Sequence, residues 1–136
     1  NGLLKIKRFL LKPLAKKRNW GKNYPKWHAL AFGSAICCPS VTFFKPNLPD
    51  EVFVHHFRSD EDWEAWEKLR HLKGDFVYVP SILMQHRIHE DSETSKIIAD
   101  NKRSEEDFEM FRKFWPKFIA KIITKVYSSS EKSNKV

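Results

Sequence analysis

The chain has 136 residues, with 25 Lys and Arg against 17 Asp and Glu, a formal net charge of +8 and a pI near 9.5. That length allows one domain with a modest core and excludes a multi-domain assembly. No run approaches the roughly 20 apolar residues of a membrane-spanning helix, and the N-terminal stretch is too charged for a signal-peptide core.

Residues 1–26 carry Lys5, Lys7, Arg8, Lys12, Lys16, Lys17, Arg18, Lys22 and Lys26 with no acid among them, so this segment calls for an anionic neighbour. Within it Leu3, Leu4, Ile6, Phe9, Leu10 and Leu14 recur at helical spacing among lysines, which predicts an amphipathic helix over residues 3–17, interrupted near Pro13. Its basic face suits anionic lipid headgroups, and the competing reading is that it packs on a further part of a longer protein. Residues 19–26 read as a loop.

A short apolar stretch from Trp27 to Ile36 predicts helix, broken at Pro39-Ser40, and Val41 to Phe44 then reads as a strand. The adjacent Cys37 and Cys38 exclude an ordinary disulfide between them and point to a reducing compartment. They and His55-His56 lack the intervening spacing of a zinc site. Lys45 to Asp50 is a loop, and Glu51 to Phe57 fits either a helix or an irregular core contact.

The clearest local signal is a helix over 60–72, with Ser59 as cap, Asp62 in the capping-box position and Trp63, Trp66 and Leu69 on one face. Gly74 ends it, and Phe76 to Val79 and Ile82 to Met84 read as two strands around Pro80-Ser81. If the second strand runs on to residue 89, alternation puts Arg87 and His89 on one face and His86 and Ile88 on the other. Ser92 and Thr94 offer caps for a long helix ending near Phe114, stopped by Pro116. Residues 117–127 predict a second short basic amphipathic helix, and the Ser- and Lys-rich tail reads as disordered.

Three segments in order carry a resemblance. Gly33-Ser34-Ala35-Ile36-Cys37-Cys38-Pro39-Ser40-Val41, then Glu61-Asp62-Trp63-Glu64-Ala65-Trp66, then Arg87-Ile88-His89 with Ser92 are similar to motifs in the C-terminal, acceptor-side part of family-2 glycosyltransferases. The resemblance covers about Gly33 to Trp115, with Ser34 where the family has Asn. It implies an α/β fragment of a GT-A fold, a few strands flanked by helices with a helical C-terminal extension. The expected division is 1–26 as basic helix and loop, 27–115 as acceptor-side portion, and 116–136 as short helix and tail.

The function so implied is inverting transfer of a sugar from a nucleotide-sugar donor to a saccharide or lipid-linked acceptor, in cell-surface polysaccharide synthesis. Asp62 is then the base that deprotonates the acceptor hydroxyl, with Glu61 as second candidate, Trp63 stacking on an acceptor ring and Arg87 on the phosphates. His89 is the implied ligand of a divalent Mg or Mn ion, completed by an Asp-x-Asp motif that this chain lacks. The chain starts at Asn1, which fits a segment of a longer enzyme, inactive alone, with an exposed seam that favours self-association. The implied location is cytoplasmic, peripheral at the inner membrane face. The competing reading of Asp62 is a plain helix cap, and the competing function is a non-catalytic basic module for a membrane surface or a protein partner. No nucleic-acid-binding motif is present.

Overall fold

In the computed structural model the chain is described over residues 2–54, 56–85 and 102–132. Five α-helices are found there: α1 (Gly2–Leu11), α2 (Asn23–Leu30), α3 (Glu61–Arg70), α4 (Lys102–Phe114) and α5 (Lys117–Lys132). Short 3-10 turns punctuate the connections at Lys12–Ala15, Lys17–Asn19, Cys38–Ser40 and Lys45–Asn47. Helix α2 packs on α1 and α3, and α4 packs on α5.

The α/β expectation is overturned. Among the described residues there is no β-strand, only an isolated bridge between Ala31 and Gly33. Residues 41–44, 76–79 and 82–84, read as strands from their apolar, β-branched content, have no ladder partner. Val41 and Phe44 are extended, but each adjoins a 3-10 turn built on a proline, Pro39 or Pro46. Proline has no N–H to give to a ladder, so the turns isolate the extended residues between them. Tyr78 reaches only the Leu14 carbonyl, to which its backbone N–H donates at 3.3 Å.

The helices follow the sequence pattern more closely. Helix α1 ends at Leu11 and gives way to the 3-10 turn containing Pro13, as the proline requires. Helix α2 begins earlier than expected, taking in Tyr24 and Pro25; a proline in the first turn removes an N–H that has no helical acceptor anyway. Helix α4 ends one residue before Trp115-Pro116. Helix α5 runs on through Ser128 and Ser129, part of the stretch read as tail.

The core gathers Leu30 of α2, Phe57, Trp63, Ala65 and Trp66 of α3, Met110 and Phe111 of α4, and Ala120 of α5. Trp63 is its centre: its ring meets Phe111 edge-on at 4.9 Å, and its indole N–H donates to the Leu30 carbonyl at 3.1 Å. The polar handle of a buried tryptophan is thus satisfied by a carbonyl at the C-terminal end of α2, which also accepts the Gly33 N–H at 3.3 Å, and the same bond ties α3 to α2. Trp115 repeats the arrangement, its indole N–H donating to the Ala31 carbonyl at 2.6 Å. Gly33 closes the turn after α2 with φ +105°, and a Cβ there would stand 2.5 Å from the Tyr127 ring of α5. Only glycine combines that backbone with so close an approach.

Candidate functional site

The entry to α3 is where the acidic motif lies, and the structure arranges it differently from a capping box. Asp60 occupies the cap position without a side-chain cap bond, and the Asp62 carboxylate accepts only the neighbouring Trp63 N–H, at 2.7 Å, among the hydrogen bonds described. The residues just before the helix are held instead by a distant element. Glu106 of α4 accepts the N–H groups of Arg58, Ser59 and Asp60 at 3.2, 2.8 and 3.3 Å, and the Ser59 hydroxyl at 2.5 Å. Burial would raise the Glu106 carboxyl, but these donors outweigh it and hold it below the usual carboxylate range. A carboxylate from α4 therefore pins the loop that leads into α3.

Beneath it lies a buried acid pair. Asp60 and Asp107 are 5% and 1% exposed. Burial, and then the Asp107 charge and its hydrogen bond, push the Asp60 carboxyl up to about 8, while the Arg103 guanidinium pulls the other way. At neutral pH the Asp60 carboxyl therefore keeps its proton beside Asp107. Asp62 is also raised, by burial first and by Glu61, against the Trp63 N–H, Arg103 and Lys7. Glu64, one turn on, meets Lys113 at 3.0 Å, with His56 at 3.5 Å and Lys68 at 3.9 Å.

The residues named from sequence thus part company. Glu61 and Asp62 stand half-buried at the start of α3. Trp63 lies wholly within the core, its ring flanked by Phe111, Phe114 and Tyr127. Arg87 and His89, with His86, lie outside the described residues. Among the described residues no group of three or more His, Cys, Asp or Glu can hold a metal ion.

The second feature is an outward surface. On α5, Phe118, Ile122 and Val126 are spaced by one helical turn and are 68%, 62% and 66% exposed. Lys117, Lys121 and Lys125 each precede one of them, so a lysine row runs beside the apolar row. The opposite side of the helix buries Ala120 and Thr124. Helix α1 likewise leaves Leu4, Ile6 and Phe9 largely exposed among Lys5 and Arg8. A chain of ring contacts links α1 to the start of α5: Phe9 to His28 at 6.2 Å, His28 to Phe32 at 6.3 Å, and Phe32 to Trp115 at 5.4 Å. Tyr24, also exposed, joins at His28. None of the described helices is long and apolar enough to cross a membrane.

The third feature is an open groove of about 900 Å³ beneath α1, bounded by Leu14, Pro39, Ser40 and Asn47 of the 3-10 turns, the C-terminal part of α3 and the irregular stretch 72–84. Lys26 enters its wall as a nearly buried cation.

Fold and surface together define a small basic helical unit with outward amphipathic faces. Compared with protein-family models, curated proteins and solved structures, the chain matches none. The resemblance to family-2 glycosyltransferases is accordingly corrected: the GT-A sheet that would carry a nucleotide-sugar site is missing from the described residues, and no family match supports sugar transfer. The enzyme class and polysaccharide role drawn from it fall with the sheet.

Sequence reasoning missed Lys26, Asp60, Glu106 and Asp107. A signal for Asp107 was present, because it precedes Met110 and Phe111 by three and four positions and so shares their buried face.

Proposed function

We propose that the chain is a membrane-surface module that settles on an anionic lipid leaflet through the outward faces of α1 and α5. The observation that carries the reading is the α5 face, where three large apolar side chains are left in water beside three lysines, with no acid from Lys117 to Ser130. A soluble helix turns such a row inward; one that lies in an interface turns it outward and keeps its cations at headgroup level. Full burial of a large apolar side chain is worth about 1.5–3 kcal/mol. Each lysine near an anionic surface adds about 1 kcal/mol. The two contributions are of similar size, so binding requires both.

The exposed rings of Phe9, Tyr24 and Phe32 extend the same chemistry, since aromatic side chains favour the headgroup boundary. The test is flotation of the full chain with vesicles of phosphatidylcholine alone and of phosphatidylcholine with phosphatidylglycerol. The reading predicts co-flotation with the anionic vesicles only, weakened by salt as the charges are screened. Equal flotation with both compositions, or none with either, contradicts it.

A further inference from the structure

The groove beneath α1 is a site of a different kind. Its volume of about 900 Å³ is that of a small-molecule site. Leu11, Leu14, Ile36, Val41, Leu69 and Val77 give it apolar walls, all drawn from the first 84 residues. Within this lining Lys26 is 3% exposed. Its Nζ donates to the Gly74 carbonyl at 2.6 Å and lies 5.4 Å from the Phe76 ring centroid. An ammonium has three N–H donors, and Gly74 is the one hydrogen-bond acceptor found for it among the described residues. Asp75 is the acid nearest in effect, and it only partly offsets the cost of burial, which holds the Lys26 amine below its ordinary value. Gly74, Asp75 and Phe76 all line the groove, and Lys73 adds a second cation to its lining.

A nearly buried cation in an apolar trough matches one chemical class: an anionic head on a long apolar tail. We propose that the groove binds a long-chain fatty carboxylate, its tail along the aliphatic walls and its carboxylate on the Lys26 ammonium. The head supplies the hydrogen-bond acceptors that Lys26 lacks, and the tail covers Val77 and its exposed neighbours Val79, Ile82 and Leu83. The inference goes beyond membrane docking and stands without it, since a monomeric fatty acid reaches the groove from water.

The test is calorimetric titration of the full chain with dodecanoate and with dodecyltrimethylammonium, both below micellar concentration. These share a tail and differ in head charge. The wild type is expected to bind dodecanoate saturably at one per chain, at least about tenfold tighter than the cation, the worth of one charge-assisted hydrogen bond. Lys26→Met removes that preference while taking away only one charge of a net +8, so loosely held anions would scarcely notice it. Thr42→Trp, placed on an exposed residue of the groove lining, fills the space and weakens both ligands. Alike affinities for the two heads, non-saturating uptake, or undiminished binding to Thr42→Trp overturns the proposal. If Lys26→Met does not fold, the wild-type pair and Thr42→Trp decide it.

Discussion

Trp63 of α3 and Phe118 of α5 both stand beside charged residues in sequence and both belong to amphipathic helices, yet the first is 1% exposed and the second 68%. What separates them is the neighbour. The Trp63 face meets α2 and α4, and the charges around it are matched: Glu64 with Lys113, Glu106 with the loop into α3. The Phe118 face has lysines beside it and lies opposite the side by which α5 packs into the fold. Period alone gives a helix and its apolar side; it does not say whether protein or something else covers that side.

The largest expected effect breaks the inner region. Trp63→Ala removes a core indole and its bond to the Leu30 carbonyl, a loss of about 4 kcal/mol by the usual range for such truncations. Thermal or urea unfolding reads it directly, and a chain this size does not tolerate much more. Gly33→Ala comes next, at about 2–3 kcal/mol, because it combines a disfavoured positive φ with the Tyr127 contact. Tyr127→Ala should recover part of that loss, so a double-mutant cycle separates the clash from the backbone strain.

The outer region should respond in the opposite sense. Phe118→Ser with Ile122→Ser should leave the melting temperature nearly unchanged, since both side chains already face water, and lower anionic-vesicle affinity by about 30-fold, equivalent to about 2 kcal/mol. A large fall in stability would show that the row is covered by protein after all.

A separate handle on the inner region is a pH dependence. With Asp60 raised to about 8 in the fold, the native state keeps a proton that the unfolded chain gives up near the ordinary carboxyl value of 3.8. Its contribution to stability is full below that lower value and is lost as pH rises through about 8. Wild-type melting temperature should therefore decline across this window, and Asp60→Asn, which keeps a donor for Asp107, should flatten the decline. An unchanged slope in the variant rules out this pair as its source.

The helical parts of the fold were legible. The Trp63-Trp66-Leu69 face, the stop at Pro13, and the basic helix after Pro116 were all carried by local periodicity and by proline. The extended segments were misread because β-branched runs such as Phe76 to Val79 report apolar surface as well as they report strands, and a strand exists only when a partner pairs with it. The three-motif resemblance extended that error to a whole fold. The cap at α3 was misassigned for a related reason: Ser59 and Asp62 have the right spacing, but the Ser59 hydroxyl donates to Glu106, some 45 positions away, which also takes the N–H groups of Arg58, Ser59 and Asp60. Lys26 gave no signal, being one of many lysines in a basic segment.

The central claim is that the outward faces of α1 and α5 meet lipid while the exposed side of α4 does not. An environment-sensitive fluorophore attached at Ile122→Cys, and separately at Arg112→Cys on the exposed side of α4, tests it most directly when Cys37→Ser and Cys38→Ser leave one reactive thiol. On adding anionic vesicles the account predicts a blue shift and slower quenching at position 122, and neither at position 112. No shift at position 122, or the same shift at both, contradicts it.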